Sequence, residues 1–219
     1  MAEAKNILKR VMSGLMAMTL AAAAALAFAG PEEDYQAGTK AYREGDVIGA
    51  MAVLRKAADA SHPAAQALLA DLLDKAEFNE EAVAYYRKSA AQGHPDGEFG
   101  LGVMYSAGEG VKRDWVEARK WITRAADKGH RLAINELARA YMAGGLGVDD
   151  AQRSSPAALQ WIRRAADNGY VPALEYLAQA YRNGTLGLAV DLKQAEVLES
   201  RVKAMRGTSA AGKGKKAKP

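Results

Sequence analysis

The feature that most constrains the fold is a short pattern that occurs four times along the chain. Arg55–His62, Arg87–His94, Thr123–His130 and Arg163–Tyr170 align with one another without gaps. The seventh position of each segment falls 32, 36 and 40 residues after the one before it, and it is occupied by Ser61, Gly93, Gly129 and Gly169. Self-similarity at this period predicts stacked supersecondary units, each of which buries its apolar face only against its neighbours.

Each unit carries two helical patterns. The first is Leu-small-x-x-Tyr, as in Leu101, Gly102 and Tyr105, and it recurs at Leu137 and Leu177. These spacings place the residues on one helix face, where the small residue allows a partner helix to approach closely. The second is Ala-x-x-aromatic-x-x-x-Ala, with instances that begin at Ala82, Ala118 and Ala158, and with Val53 or Leu198 in the aromatic slot in those that begin at Ala50 and Ala195.

Capping signals and loops mark the ends of these helices. Asp114, Ser155 and Asp191 occupy positions typical of N-caps, and Pro156 follows at the first helical position. The Gly slot at the end of each unit is typical of a left-handed C-terminal cap. Glycine-rich loops join the two helices of the later units, and none has the spacing of a phosphate-binding loop. We expect the apolar residue of each loop to fold back onto the stack.

The pattern from Gly97 to Gly129 resembles the Sel-one-like repeat (SLR), a branch of the tetratricopeptide repeat superfamily. Ala133–Gly169 matches with a longer loop at 150–155, and Ala173–Val202 matches until its last helix. Residues 32–93 look more like ordinary tetratricopeptide units. The resemblance implies an all-α, right-handed α-solenoid of about five stacked helix pairs with a concave groove lined by the first helices. The expected units are 32–61, 62–93, 94–129, 130–169 and 170–206, within a repeat domain that spans 30–206.

The N-terminus has the pattern of a secretory signal peptide. Lys5, Lys9 and Arg10 precede an apolar run that ends Ala27-Phe28-Ala29. We predict that residues 1–29 are a signal peptide cleaved after Ala29, which leaves a periplasmic or secreted protein. The alternative is an uncleaved helix that anchors the chain in the inner membrane, facing the periplasm, and this segment would then be its membrane contact.

Charge is concentrated at the two ends of the chain. Of the formal net charge of +4, residues 1–29 contribute +2 and residues 207–219 contribute +4, which leaves −2 on residues 30–206. A slightly acidic body argues against nucleic acid as a partner. Residues 207–219 predict a basic disordered tail, which is either a solvated segment or a weak contact for an anionic polymer or lipid.

The sequence predicts no catalytic site, no metal site and no cofactor. Cysteine is absent, which excludes disulfides and thiolate zinc sites. His62, His94 and His130 occupy the same slot in consecutive units, about 10 Å apart, so they cannot share one ion and are predicted to have a structural role at the turn. The carboxylates form no evident acid/base pair.

Partner specificity is expected on the inner face of the first helices. Comparison with tetratricopeptide helices predicts eight inner residues, namely Phe99, Val103, Asn135, Arg139, Met142, Glu175, Gln179 and Arg182. Their gradation from apolar to charged suits an extended peptide or protein segment. Arg139 and Arg182 are either contacts for an acidic partner or solvated helix-face residues.

The predicted function is therefore a periplasmic scaffold that binds a protein or peptide in its groove. One alternative is an accessory protein of envelope polysaccharide or secretion machinery that binds a glycan or wall polymer. A wall-active hydrolase is less favoured because no catalytic constellation is evident.

Overall fold

A computed structural model describes the backbone of residues 30–213 and the side chains of residues 30–207. Within this range the chain is helical and contains no strand. The first helices of the pairs are α1 (Pro31–Arg43), α3 (Pro63–Lys75), α5 (Pro95–Ala107), α7 (Arg131–Ala143) and α10 (Val171–Asn183). The second helices are α2 (Val47–Asp59), α4 (Asn79–Ala91), α6 (Trp115–Asp127), α9 (Pro156–Asp167) and α11 (Leu192–Lys213), and a short α8 (Asp150–Arg153) precedes α9.

The predicted close approach within each helix pair is confirmed. A Cβ atom added to Gly102 on α5 would lie 2.6 Å from Cγ1 of Ile122 and 3.0 Å from the carbonyl oxygen of Ala118, both on α6. Leu101 and Leu137 are buried beside the small residues that follow them. The small residue therefore sets the distance between the paired helices, and the leucines fill the space beside it.

The predicted caps also form. Asp114 accepts hydrogen bonds from the backbone N–H groups of Val116 and Glu117, and Ser155 accepts from Ala158. Asp191 accepts from the backbone N–H of Gln194. Gly93, Gly129 and Gly169 have φ angles of +75°, +85° and +79°, so the turn between units takes the left-handed conformation.

The Gly-rich loops fold back as expected. Leu146 is buried, and Val111 packs against the core next to α5. Arg119 on α6 donates hydrogen bonds to the carbonyl oxygens of Leu146 and Gly147, at 3.3 and 3.2 Å. These bonds fix the loop of the fourth unit onto the third.

Two segments differ from the sequence expectation. Residues 150–155, expected as loop, begin with α8, whose capping box joins Asp149 and Gln152. The last helix continues to Lys213, past the boundary expected at residue 206. Residues 207–213 were predicted to be disordered, but the backbone there is helical. Gly207 disfavours a helix by only about 1 kcal/mol, and the Ala-containing turn after it favours one. Residues 1–29 and 214–219, with the predicted signal peptide and the rest of the tail, lie outside the described residues.

Candidate functional site

The first helices share one surface that contains a cavity of about 350 Å³. The residues that line it come chiefly from the second, fifth, ninth and twelfth positions of these helices, which point to the same side. Its apolar wall consists mainly of Tyr35, Ala64, Ala67, Leu68, Phe99, Val103 and Leu132, and its acidic groups are Asp71, Asp74 and Asp96. We call this cavity the groove.

A histidine at the N-terminus of α3 packs against Tyr35, one of the residues that line the groove. His62 is the N-cap residue, and its Nδ1 accepts a hydrogen bond of 3.1 Å from the backbone N–H of Ala65. Its Nε2 lies 2.8 Å from Oε2 of Glu32 on α1, and its ring stacks on Tyr35 with centroids 4.7 Å apart. The imidazole thus joins two neighbouring first helices.

The same arrangement recurs two units later. His130 caps α7 by accepting from the backbone N–H of Ala133 at 3.1 Å, and its Nε2 lies 3.1 Å from Oδ1 of Asp96. The ring of Phe99 packs against His130 with centroids 4.7 Å apart. The hydrogen bond from His130 is the largest cause of a lowered pKa at Asp96. The predicted structural role of the histidines at the turn is therefore confirmed for His62 and His130.

His94 is the N-cap residue of α5, but within the part of the chain that the structure describes it has neither an acid nor an aromatic partner. Ala64 and Ala67 of α3 occupy the positions that hold an acid and an aromatic ring in the other two cases. Among the described residues, Nδ1 of His94 is buried without a hydrogen-bond partner, and burial lowers the pKa of this histidine. The two alanines leave a gap between the rings of Tyr35 and Phe99.

The C-terminal half of α3 makes the groove acidic. Asp71 binds Nζ of Lys75 at 2.6 Å, and the same ammonium group lies 3.4 Å from the hydroxyl of Tyr42. Burial raises the pKa of Asp74, and the negative charges of Glu109 and Asp71 raise it further. The potential at this end of the groove is therefore negative.

Two of the eight predicted site residues line the groove. Phe99 forms part of its wall, and Val103, which is 36% exposed, lies one helical turn further along α5. The inner residues of α1 and α3, such as Tyr35, Asp71 and Asp74, are not among the eight residues predicted from the sequence. They occupy the same helix positions as the predicted residues, so the same alignment of units would have identified them.

The other six predicted residues lie on α7 and α10, outside the groove. Nε of Arg139 bonds to Glu136 at 2.9 Å, and Arg182 forms two hydrogen bonds of 2.8 Å with Glu199 of α11. Glu175 pairs with Arg206. Asn135 and Met142 are half-buried and Gln179 is exposed. The charged members of this set are thus paired with neighbours within the protein.

Residues 30–213 include no group of three or more His, Asp or Glu side chains placed to hold a metal ion. No helix in the same range has the length and apolar character required to cross a membrane.

Comparison with known proteins now assigns the family. The Sel1 repeat matches residues 79–94, 95–130, 131–170 and 171–196, which together cover more than half of the chain. The chain belongs to the Sel1 repeat family. The predicted all-α solenoid is confirmed by this match and by solved structures of the same fold. Proteins built from Sel1 repeats typically mediate protein–protein interactions and are generally non-enzymatic scaffolds.

Two solved Sel1 repeat structures are similar in sequence as well as fold. One is c5321, a protective antigen of uropathogenic Escherichia coli with an SLR fold, at 30% identity and a TM-score of 0.70. The match covers 80% of this chain and 38% of c5321. The other is a Sel1 repeat protein from Oxalobacter formigenes, at 26% identity and a TM-score of 0.61, with coverage of 78% and 70%.

Curated relatives match over shorter stretches. An uncharacterized protein of Neisseria meningitidis, NMB1327, is 42% identical over 59 residues, which are 27% of this chain and 13% of the relative. The rat DAP3-binding cell death enhancer 1 is 36% identical over 90 residues, which are 40% of this chain and 18% of that protein. The chain thus matches less than a fifth of the length of either protein.

Proposed function

We propose that this Sel1 repeat chain is an exported scaffold that binds a segment of a partner protein in the groove. The observation that carries this proposal is the cavity of about 350 Å³ on the first helices, where apolar side chains lie beside carboxylates. Apolar pockets next to a few polar groups are how a groove binds an extended segment and selects its side chains. The family assignment supports the same function.

Export is proposed from the N-terminal sequence. Lys5, Lys9 and Arg10, the apolar run after them and Ala29 form the signal pattern. Mass spectrometry of the protein from a periplasmic or culture fraction is expected to give Gly30 as its first residue. A chain that retains residues 1–29 and sediments with the inner membrane would instead support the anchored alternative.

Peptide binding is favoured over glycan binding by the state of the aromatic rings. Sugar-binding sites commonly rely on an open aromatic face, whereas Tyr35 and Phe99 each have a histidine packed against the ring at 4.7 Å. The rest of the groove lining consists mostly of aliphatic side chains, such as Leu68 and Val103, together with carboxylates. This combination suits amino-acid side chains better than a sugar ring.

Site-specific photo-crosslinking in the native cells tests the proposal. A photoreactive amino acid is introduced at Val103 in the groove and, as a matched control, at Val116, an exposed valine on α6 that does not line the cavity. We expect discrete protein adducts from position 103 only. Ala67→Leu, which fills the gap between the rings of Tyr35 and Phe99, is expected to reduce those adducts. Absence of adducts at position 103, or the same adducts at both positions, would contradict the proposal.

A further inference from the structure

The two ends of the groove differ chemically along α3. Near its N-terminus, Ala64 and Ala67 lie between the rings of Tyr35 and Phe99 and leave an apolar gap. Near its C-terminus, Asp71 and Asp74 face the same cavity. A single helix thus presents an apolar notch and an acidic patch to whatever binds in the groove.

The apolar notch at Ala64 and Ala67 has room for a side chain of a partner molecule. In the neighbouring units the position of Ala67 holds a large ring, packed against the histidine of the next unit, and the position of Ala64 holds an acid that contacts the same histidine. Here the positions hold alanine, and within residues 30–207 His94 forms neither the acid contact nor the ring contact of its two counterparts. The Leu68 and Phe99 side chains make the surroundings apolar. An aliphatic or aromatic side chain fits such a surface because it removes apolar area from water on both partners.

The acidic patch is already half neutralised by the chain itself. Lys75 binds Asp71 at 2.6 Å, which shows that an ammonium group fits at this surface. Asp74, one residue before Lys75, has no hydrogen bond or ion pair to its carboxylate among the described residues. Burial raises its pKa, and the charges of Glu109 and Asp71 raise it further. Its place in the last turn of α3 also favours a cation, because the helix dipole is negative there.

We propose that the groove takes an extended basic–apolar segment of a partner protein, with an apolar side chain over Ala64 and Ala67 and a lysine or arginine side chain against Asp74. This inference rests on the proposed scaffold function and adds the chemistry of the partner. An acidic partner is less favoured, because the arginines on α7 and α10 already have partners within the protein. Arg139 is paired with Glu136, and Arg182 is paired with Glu199.

The fold also sets the spacing between the two side chains. Ala67 and Asp74 are seven residues apart on α3, which corresponds to about 10 Å along the helix axis. An extended segment advances about 3.4 Å per residue. A segment that lies along α3 therefore carries its basic residue about three positions from its apolar residue.

Synthetic peptides test the partner chemistry directly. Fluorescein-labelled peptides of sequence Gly-Ser-Leu-Ser-Ser-Lys-Ser-Gly are titrated with the purified full chain and followed by fluorescence anisotropy. Matched peptides replace Lys with norleucine or Glu, or exchange the positions of Leu and Lys. We expect the peptide with one of the two orders of Leu and Lys to bind about five- to tenfold more tightly than the same peptide with norleucine in place of Lys, and the Glu peptide to bind most weakly. The preference for Lys should decrease as salt is added.

Three variants locate the interaction. Asp74→Asn is expected to abolish the preference for Lys over norleucine while the norleucine peptide binds as before. Ala67→Leu is expected to weaken all the peptides. Asp167→Asn removes an equal charge from an exposed site on α9 and is expected to change nothing. Circular dichroism of each variant checks that the fold is retained.

The inference is overturned if the Glu peptide binds as well as the Lys peptide. It is also overturned if Asp74→Asn leaves the preference intact, or if no peptide binds at millimolar concentration. Its failure is distinguishable from failure of the scaffold function. Crosslinked partners whose captured segment lacks basic residues would leave the scaffold in place and remove only the basic–apolar specificity.

Discussion

Arg124 on α6 donates a hydrogen bond of 2.9 Å from Nε to Oε1 of Glu98 on α5, whose side chain is fully buried. Lys128 donates from Nζ to the other carboxylate oxygen at 2.8 Å and to the carbonyl oxygen of Gly93 at 2.7 Å. The two cations remain 48% and 39% exposed. Loss of the two cations is therefore more costly than loss of the carboxylate. An unpaired Arg124 or Lys128 side chain can be solvated by water, whereas the buried Glu98 carboxylate cannot.

This asymmetry predicts unequal effects of substitution. The double variant Arg124→Met and Lys128→Met leaves a buried charge unpaired and is expected to lower the free energy of unfolding by about 3–5 kcal/mol. Glu98→Gln is expected to lower it by only about 1–3 kcal/mol. The same position of α3 already holds a buried amide, Gln66, which donates to the carbonyl of Ala58 at 2.9 Å. Urea unfolding followed by circular dichroism measures both, and a larger loss in Glu98→Gln would contradict the argument.

Two glycines with positive φ predict different tolerance of alanine. Gly110 has a φ of +62°, and a Cβ there would lie 2.3 Å from the carbonyl oxygen of Asn79 at the start of α4. Gly129 has a φ of +85°, and a Cβ there meets nothing within 4 Å. Gly129→Ala is expected to destabilise the protein by about 1–2 kcal/mol through backbone strain alone. Gly110→Ala is expected to cost more, because the loop must also move away from α4. Equal melting temperatures for the two variants would show that the contact between a Cβ atom at position 110 and the Asn79 backbone does not affect stability.

Much of the fold follows from the sequence because it rests on local spacing. The Leu-small-x-x-Tyr pattern, the N-caps such as Asp114 and the turn glycines each act within a few residues, and each forms as predicted. The helix α8 was missed although the Asp149–Gln152 capping box was present in the sequence. The extension of α11 was missed because composition alone was used to place its end.

The groove was predicted less well because it depends on contacts between units. The helix position of an inner residue can be read from the repeat, but whether its charge is free depends on a neighbour distant in sequence. Arg182 illustrates this, since its partner Glu199 is seventeen residues away on α11. The gap at Ala64 and Ala67 can be recognised only when these two residues are compared with those that occupy the same positions in the other units.

The burial of His94 leads us to expect that the stability of the protein depends on pH. Burial lowers its pKa from the ordinary value of 6.5, so the unfolded chain binds a proton more readily than the folded chain. The free energy of unfolding is therefore expected to fall as pH decreases below about 6.5 and through the lowered pKa. His94→Gln removes this contribution, so its stability should change less over the same range.

The carboxylates act in a separate, more acidic range. The pKa of Glu32 is lowered by hydrogen bonds from Gln36 and His62, and that of Asp96 by the hydrogen bond from His130. Their contribution is present above their ordinary pKa values of 4.5 and 3.8 and is lost as pH falls through the lowered values. Chemical unfolding at several pH values separates the two ranges. If the free energy of unfolding changes with pH in the same way for His94→Gln and for the unsubstituted chain above pH 5, His94 is not the cause of the pH dependence in this range.

The same substitution at the middle and at the end of the array predicts how the repeats are coupled. Leu137 on α7 is 1% exposed and Leu198 on α11 is 9% exposed, and both belong to the core cluster that joins the third, fourth and fifth units. Leu137→Ala is expected to cost about 4–5 kcal/mol and Leu198→Ala about 2–3 kcal/mol, since the terminal helix is covered on one side only and its less completely buried leucine loses less packing.

Unfolding should also become less cooperative in Leu137→Ala than in Leu198→Ala, because stability in a stacked array depends on the contacts between nearest neighbours. The signal to follow is the fluorescence of Trp161 in a chain that carries Trp115→Phe and Trp121→Phe, since Trp161 packs in the same cluster as Leu137. We expect the fluorescence transition of Leu137→Ala in urea to precede the transition measured by circular dichroism, which reports all helices. In Leu198→Ala the two transitions should coincide more closely. Coincident transitions in both variants, with unchanged slopes, would show that the array unfolds as one unit and that its centre is no more critical than its end.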